Sequence, residues 1–310
     1  MDISVVIPTY NRAEMLGKTL KALALQRTPG EQPPVLDYEV IIVDDGSSDG
    51  TGQLCREAEH DFPVPLHYIR QANQKQGAAR NRGAQAARGR CLLFLGDDTV
   101  PSRDFLARHR EAHRSRDDPQ RLAVIGYTPW AEEYPVTRFM EYIGEYGWQF
   151  GFSIIENPED VPFNFFYTSN VSLPRRLFLD SGGFDEDFQE YGWEDIELSW
   201  RLKQEGMRII YEPRAVARHH HPTSLKSFLE RQRKVGYSAW TFHLKHPEMD
   251  DFLHTRRLPD YTLVQRLKMA LLKWACLLTE KRSWPDLSGY YPDLLSYHYN
   301  LGLVEACDEE

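Results

Sequence analysis

Residues 92–101 read Leu-Leu-Phe-Leu-Gly-Asp-Asp-Thr-Val-Pro, and this stretch says most about the fold. An apolar run from Cys91 to Leu95 is typical of a buried strand, and it ends abruptly at two adjacent carboxylates, Asp97 and Asp98. Asp is common in turns, so a solvated Asp-Asp turn is one interpretation. Two like charges also repel each other unless a positive group lies beside them. Because hard oxygen ligands suit Mg²⁺ or Mn²⁺, a metal site is the alternative interpretation.

Working outward from this stretch, short apolar runs alternate with helical patterns through the first hundred residues. The runs predict strands over 3–7, 40–43, 66–70 and 91–95, and helices over about 13–26, 51–59 and 77–87. Asn11 is a candidate cap for the first helix, and a loop is expected over 28–34. This alternation predicts a mainly parallel α/β sheet that is covered by helices on both faces.

Three of these predicted strands end in polar residues: Thr9-Tyr10-Asn11, Asp44-Asp45 and Asp97-Asp98. Ligands of parallel sheets bind beyond the carboxyl ends of the strands. We therefore expect the three polar segments to meet at one edge of the sheet.

The second half of the sequence is less regular. Short strands are predicted over 209–211 and 215–217, followed by the triplet His219-His220-His221. Beyond Pro222 the pattern is helical, with helices predicted over 225–237 and 263–278.

Composition and charge exclude several classes of protein. The 310 residues carry a net charge of −9, which argues against general nucleic-acid binding. The four cysteines are scattered without zinc-site spacing, which favours a reducing cytoplasm. Neither a signal sequence nor a membrane-spanning segment is expected, so we predict a cytoplasmic protein that at most contacts the inner face of the plasma membrane.

Four segments together resemble the inverting, nucleotide-sugar-dependent glycosyltransferases of family 2. They are Val5-Val6-Ile7-Pro8-Thr9-Tyr10-Asn11-Arg12, Ile42-Val43-Asp44-Asp45-Gly46-Ser47-Ser48-Asp49, Gly96-Asp97-Asp98 and Gly192-Trp193-Glu194-Asp195. The resemblance implies a GT-A fold, which is a Rossmann-like, mainly parallel sheet flanked by helices, here with a C-terminal helical extension. It implies a catalytic domain over 1–222, with a nucleotide-binding half over about 1–100 and an acceptor half over about 101–222. The helical extension would cover 223–310.

The resemblance also implies a nucleotide site. Thr9 and Asp45 would contact the base, and a carboxylate can accept the imide N–H of uracil. Asp44 would lie nearby, or form only an Asx turn. The helix start around Gly77 would face the diphosphate, because helix N-termini favour anions. Three further residues are implied: Pro8 and Tyr10 would shape the base pocket, and Arg80 would pair with phosphate, its alternative being a solvated surface charge.

The implied metal site departs from the usual family motif, because Gly96 replaces the first residue of Asp-x-Asp. Asp98 would be the main ligand of Mn²⁺ or Mg²⁺, and Asp97 would contact the sugar or the ribose. The family often adds a histidine after the last strand, and His219 matches best, with His221 second.

Asp195 matches the catalytic base of the family. An inverting transfer needs a carboxylate to take the proton of the acceptor hydroxyl. Glu194 would help to bind the acceptor, although both acids could simply stabilise a helix N-terminus. Trp193 is a sugar-stacking platform or a core residue, and Asn170 is an acceptor- or sugar-contacting residue or a loop cap.

Residues 262–282 form a basic amphipathic pattern, with Leu263, Leu267, Leu271, Trp274 and Leu278 on one face. This segment could pack on the catalytic domain or dock on an anionic membrane. The tyrosine-rich end, 290–299, is compatible with a homodimer.

The combined prediction is a metal-dependent hexosyltransferase that acts in glycan or glycolipid biosynthesis. It would move a hexosyl group from an NDP-sugar, with UDP favoured, to a glycan, lipid-linked or small-molecule acceptor. The alternatives are a non-catalytic nucleotide-sugar-binding protein, which has no need of a base at Asp195, and a sugar nucleotidyltransferase. The latter needs a Gly-rich basic loop where this chain has Thr9-Tyr10-Asn11-Arg12.

Overall fold

The computed structural model describes residues 1–27, 37–280 and 285–310, which form eight β-strands and eleven α-helices. The loop predicted over 28–34 and residues 281–282 of the basic segment lie outside these ranges. The strands are β1 (Ile3–Thr9), β2 (Tyr38–Asp44), β3 (Leu66–Arg70), β4 (Cys91–Leu95), β5 (Thr99–Pro101), β6 (Leu122–Tyr127), β7 (Asn170–Pro174) and β8 (Arg208–His219). The helices are α1 (Ala13–Leu23), α2 (Thr51–Asp61), α3 (Lys75–Ala86), α4 (Phe105–Arg114), α5 (Arg138–Glu145), α6 (Arg175–Asp180), α7 (Glu194–Gln204), α8 (Leu225–Lys245), α9 (Asp250–Leu253), α10 (Leu263–Thr279) and α11 (Tyr291–Asp308).

The chain divides into two compact units. Unit 1 comprises Met1–Glu133, Phe150–Glu186 and Asp195–His221, and unit 2 comprises Tyr134–Gln149, Asp187–Glu194 and Pro222–Glu310. Unit 2 therefore takes two short segments from within the predicted domain 1–222.

Unit 1 contains the whole sheet, with the strand order β3-β2-β1-β4-β7-β6-β8-β5. Parallel pairing joins β1 to β2 and β4, β2 to β3, and β6 to β8. Antiparallel pairing joins β7 to β4 and β6, and β5 to β8. The sheet is therefore mixed, and the predicted parallel order describes its N-terminal half.

The central strands are apolar on both faces because both faces are buried. Val6 packs in one hydrophobic cluster with Ile41 and Phe94, whereas Val5 packs in another with Ile42. This alternation is the period of two that a strand imposes on its side chains. It explains why the strands appear in the sequence as nearly continuous apolar runs.

The prediction of two separate short strands over 209–211 and 215–217 is wrong, because one continuous strand, β8, covers both ranges. Its pairing with β6 shifts register between Gly126 and Tyr127, so the irregular sequence in the middle of β8 does not end the strand. The antiparallel pairing with β5 sets Thr99 opposite His219. This register brings the histidine triplet to the turn that follows β4.

Unit 2 is helical, and glycines let two of its helices pack closely. A Cβ atom at Gly236 of α8 would lie 1.9 Å from the carbonyl oxygen of Tyr299, and one at Gly302 of α11 would lie 1.8 Å from that of Arg233. Tyr291, in the tyrosine-rich end, is buried with its ring 5.2 Å from that of Phe139. Among the described helices, none has the length and apolar character needed to cross a membrane.

Candidate functional site

The three polar strand ends of unit 1 meet at one edge of the sheet, as predicted. Thr9 lies opposite Asp44 in the register of β1 and β2, and the Thr9 carbonyl oxygen accepts a hydrogen bond of 2.9 Å from the Asp45 amide. The hydroxyl of Thr9 donates to Asp97 Oδ2 at 2.8 Å. Beside this edge, an open cleft of about 320 Å³ is lined in part by Arg12 and His221.

Arg12 supplies the positive charge that the two adjacent carboxylates need. Its Nη1 atom donates a hydrogen bond to Asp98 Oδ2 and lies 3.3 Å from Asp97 Oδ1. The two aspartates are only 8% and 9% exposed, so a solvated Asp-Asp turn is excluded. The sequence analysis did not predict this role. The position of Arg12, three residues after Thr9, nevertheless indicates a cation close to the polar strand ends.

The backbone before α1 places Arg12 in this position. Asn11 has a left-handed φ of +52°, and its side chain accepts from the Ser48 amide at 2.8 Å. Asn11 therefore does not cap α1, which corrects the prediction. Instead, Asp49 accepts a hydrogen bond of 3.2 Å from the Ala13 amide and one of 2.9 Å from the Thr51 amide, so that it serves the first turns of both α1 and α2.

The two carboxylates differ in their electrostatic environment. Burial, and then the neighbouring charge of Asp98, raise the pKa of Asp97 above its usual value, although Arg12 acts in the opposite direction. Burial also acts to raise the pKa of Asp98, but His219, Arg12 and His221 outweigh it and lower that pKa. Asp98 is therefore the member of the pair that stays ionised most readily.

Asp98 and His219 are the residues that fit a divalent cation. His219 Nε2 lies 3.7 Å from Asp98 Oδ2, and a carboxylate with an imidazole suits Mn²⁺. His219 is 8% exposed, with its ring 5.2 Å from Trp130, whereas His221 is exposed with its ring 6.1 Å from that of His219. The described residues contain no group of three or more His, Cys, Asp or Glu side chains that could hold a metal ion. Any such cation would therefore take further ligands from a bound substrate or from water.

Steric crowding at position 96 favours glycine, where the common motif has its first aspartate. A Cβ atom at this position would lie 2.6 Å from Thr99 Oγ1 and 3.1 Å from Asp98 Oδ1. A side chain there would have to displace Thr99, which begins the strand that pairs with His219.

Asp44 and Asp45 organise the turn after β2. Asp44 accepts from the Ser47 amide at 2.8 Å and from the Tyr68 hydroxyl at 2.7 Å, so it forms the Asx-type turn that was its alternative role. Asp45 accepts from the Gln71 side chain and the Gln74 amide, both at 2.8 Å. Its other oxygen accepts from the Lys75 amide at 2.9 Å, and so it fixes the start of α3.

The remaining residues predicted near the nucleotide differ in exposure. Arg80 is 7% exposed with its guanidinium 5.5 Å from the Phe184 ring, which excludes a solvated surface charge. Gly77 lies in the first turn of α3, where a Cβ atom would make an ordinary contact of 3.5 Å with Phe184 Cβ. Pro8 is half-buried, and Tyr10 is 50% exposed.

A short chain of contacts joins Asp195 to the acidic pair. Asp195 is half-buried in the first turn of α7, and the Thr168 hydroxyl lies 3.5 Å from its Oδ2 atom. The next residue, Ser169, accepts a hydrogen bond of 3.2 Å from the Gly96 amide. A candidate base and the Asp97-Asp98 turn are thus held by one pair of adjacent residues.

Glu194 and Trp193 belong to unit 2. Glu194 is 4% exposed at the first position of α7. The indole N–H of Trp193 donates to the Val235 carbonyl oxygen at 2.9 Å, and its ring lies 6.0 Å from Phe242 and 5.7 Å from Phe252. Trp193 thus packs among other aromatic rings of unit 2, and it is half-buried.

Asn170 does not lie where its side chain could contact a sugar. It is 1% exposed, and its Nδ2 atom donates to the carbonyl oxygens of Ala215 at 3.0 Å and Tyr127 at 3.3 Å. Its Oδ1 atom lies 3.0 Å from Nε2 of His109 on α4. The amide therefore ties β7 to β6, β8 and α4, and the expected substrate contact is replaced by a structural role.

Two family models match this sequence. The model for Glycosyl transferase family 2 covers residues 4–153, and that for Glycosyl transferase family group 2 covers residues 91–300, more than half of the chain. Validoxylamine A glucosyltransferase from Streptomyces hygroscopicus subsp. jinggangensis (strain 5008) is 34% identical over 66% of this chain. Chondroitin synthase from Escherichia coli is 28% identical over 79% of it. The match spans 52% and 38% of the length of these two relatives.

Solved structures share the fold at low sequence identity. The mannosyltransferase PcManGT from Pyrobaculum calidifontis, in complex with GDP-Man and Mn²⁺, has a TM-score of 0.61 and 20% identity, covering 99% of this chain and 88% of that one. S. aureus TarS 1–349 in complex with UDP-GlcNAc has a TM-score of 0.54 and 17% identity, covering 100% and 93%. The predicted GT-A fold class is thereby confirmed.

Proposed function

The chain belongs to the family 2 glycosyltransferases, and on this premise we propose that it transfers a hexosyl group from an NDP-sugar to an acceptor hydroxyl with inversion. The observation that carries the proposal is the contact path from Asp195 through Thr168 and Ser169 to the turn of Asp97 and Asp98. The path supports a candidate base on α7 close to a candidate leaving-group site at the end of β4.

In the proposed reaction, Asp195 receives the proton of the acceptor hydroxyl. The acceptor oxygen attacks the anomeric carbon while the bond from that carbon to the diphosphate oxygen breaks, and the NDP leaves with the bonding electron pair. The hydrogen bond that Asp195 Oδ1 accepts from the Ile196 amide at 2.9 Å holds the carboxylate in place. Glu194 would help to bind the acceptor.

Asp98 and His219, with His221 as a second candidate, would hold Mn²⁺ or Mg²⁺. When bound, this cation would stabilise the negative charge on the departing diphosphate. Arg80 and the N-terminus of α3 at Gly77 would bind the diphosphate as well, because a buried guanidinium and the N-terminus of a helix both favour anions.

The nucleoside would bind at the ends of β1 and β2. Asp45 and Thr9 would contact the base, Pro8 and Tyr10 would shape its pocket, and Asp97 would contact the ribose or the sugar. Asp44 would hold the turn between them. UDP is the favoured nucleotide, and the acceptor would be a glycan, a lipid-linked sugar or a small molecule.

All four cysteines, each among the described residues, are free thiols, which supports a reducing compartment such as the cytoplasm.

A ligand screen tests the proposal. Thermal unfolding is measured with UDP- and GDP-sugars, each with and without Mn²⁺, because a ligand at 100 times its Kd stabilises the folded state by about 2.7 kcal/mol. We expect an Mn²⁺-dependent rise in Tm with at least one nucleotide sugar, and ¹H NMR of the product should show an inverted anomeric configuration. Stabilisation without turnover in an acceptor screen would favour the non-catalytic alternative.

A matched pair of variants tests the metal site. Asp98→Asn should weaken Mn²⁺-dependent nucleotide binding by about tenfold or more, since a charged ligand is lost. Asp61→Asn, which alters an exposed aspartate on α2, should leave it unchanged. Unchanged Mn²⁺-dependent binding in Asp98→Asn would overturn the assignment of Asp98.

A further inference from the structure

Helix α10 presents a continuous apolar stripe to solvent. The side chains of the stripe are 48–75% exposed, and five of them follow one another at intervals of three or four residues along one face. The stripe runs for about 22 Å at 1.5 Å per residue. Its members are Leu263, Val264, Leu267, Leu271, Trp274 and Leu278.

The opposite face of the same helix contacts the rest of unit 2 at Cys276, whose Sγ atom lies 3.9 Å from the Leu287 carbonyl oxygen. Cys276 is fully buried, and at 100° per residue it lies nearly opposite the centre of the stripe. The side chain of Thr262 caps the helix through a hydrogen bond of 3.3 Å from the Gln265 amide. Cys276 therefore joins the helix to the rest of unit 2, and the apolar stripe on the other side of the helix is a surface feature of unit 2.

The charge on α10 is opposite in sign to that of the whole chain. Arg266, Lys268 and Lys273 border the stripe on its two sides, and the helix contains no acidic residue, whereas the chain has a net charge of −9. An apolar stripe between cations is the pattern of a helix that lies in the interface of an anionic bilayer. Trp274, on the stripe, is a residue type that favours that interface.

We infer that α10 binds the surface of an anionic lipid bilayer, with its axis in the plane of the interface and its stripe inserted between the lipids. Pairing of the stripe with that of a second copy is disfavoured, because the cations on each helix would face those of its partner without a compensating carboxylate from α10. The inference does not depend on the proposed reaction.

Vesicle co-sedimentation of the full chain tests the inference. Vesicles of phosphatidylcholine with 30% phosphatidylglycerol are compared with vesicles of phosphatidylcholine alone. We expect at least tenfold stronger partitioning onto the anionic vesicles, and a blue shift of tryptophan fluorescence that is lost in Trp274→Phe. A chain that stays in the supernatant with both vesicles overturns the inference.

Two double variants separate the stripe from general surface hydrophobicity. Leu267→Asp with Leu271→Asp should reduce partitioning at least tenfold, whereas Leu25→Asp with Leu244→Asp, at positions that are 59% and 51% exposed, should not. Equal urea midpoints would show that both variants fold. If the first variant instead converts a dimer to a monomer in sedimentation velocity and binding to vesicles is unaffected, the stripe is an interface between copies and the inference is wrong.

Discussion

Replacing Arg12 by Met tests what neutralises the Asp97-Asp98 pair. In the structure Arg12 Nη1 donates to Asp98 Oδ2 and lies 3.3 Å from Asp97 Oδ1. Methionine keeps much of the aliphatic chain but removes the charge, so two adjacent buried carboxylates lose their guanidinium partner. The variant should be less stable than the wild type at pH 8, and the position that the guanidinium leaves should become available to a cation.

The magnitude follows from the exposure of the three side chains. Removing one partner of a buried ion pair costs about 3–5 kcal/mol, whereas an exposed pair contributes about 0–1 kcal/mol. The Arg12 side chain is 38% exposed, but those of Asp97 and Asp98 are only 10% and 13% exposed. We therefore expect an intermediate loss of about 1–3 kcal/mol in the free energy of unfolding. Because Mn²⁺ at the proposed site would compete with Arg12 for Asp98, the same energy should appear as an affinity for Mn²⁺ that is about 5- to 150-fold higher.

The assay is a titration with Mn²⁺ in the absence of nucleotide, with free Mn²⁺ measured by electron paramagnetic resonance and stability by urea denaturation. Arg70→Met is the control, because Arg70 lies at the same sheet edge but donates to the Ser47 carbonyl oxygen at 2.9 Å. Its Mn²⁺ affinity should equal that of the wild type. Equal or weaker Mn²⁺ binding by Arg12→Met would refute the competition for Asp98.

Three further predictions concern residues outside the acidic pair. Asn170→Ala should lower the free energy of unfolding, measured by urea denaturation, by about 2–4 kcal/mol, because it leaves the buried partners on β6, β8 and α4 without hydrogen bonds. The UDP affinity of the folded protein should change less than about twofold. A selective loss of UDP binding would restore a substrate role for Asn170. Burial lowers the pKa of His109 to about 3, so the unfolded chain, with a pKa of about 6.5, binds a proton that the folded chain excludes. The contribution of His109 should accordingly lower the free energy of unfolding by about 2 kcal/mol between pH 7 and pH 5. The stability of His109→Gln should therefore fall less than that of the wild type over that range. Gly302→Ala should lower the free energy of unfolding by about 3 kcal/mol, because α8 and α11 must move apart. Gly289→Ala, where a Cβ atom meets nothing within 4 Å, should be nearly neutral. Scanning calorimetry of both variants measures the difference.

The first half of the fold could be predicted from the sequence because its strands are buried on both faces. Runs such as Val40–Val43 are then apolar at every position, and each ends where the polar edge begins. The convergence of Thr9, Asp44 and Asp97 followed from parallel pairing alone, since the carboxyl ends of parallel strands lie at one edge.

Other features depend on register and backbone conformation, which the pattern of apolar residues does not encode. Strand β8 continues through a register shift, so its middle residues look like a break between two strands. The role of Arg12 depends on a left-handed Asn11, and that of Asn170 on His109, which comes from a helix 61 residues away along the chain. In the sequence, a polar side chain with a structural role looks the same as one that binds a ligand. The hydrogen-bond partners seen in the structure distinguish the two roles.

The central claim is that Asp195 acts as the base, and transfer by Asp195→Asn tests it most directly. Asparagine keeps the shape of the side chain but cannot take the proton, so turnover of the donor found in the ligand screen should fall about 10²- to 10⁴-fold. Binding of UDP with Mn²⁺ should remain within about twofold of the wild type, and Asp180→Asn, at a side chain that is 66% exposed, should retain full turnover. Wild-type turnover by Asp195→Asn would contradict the account.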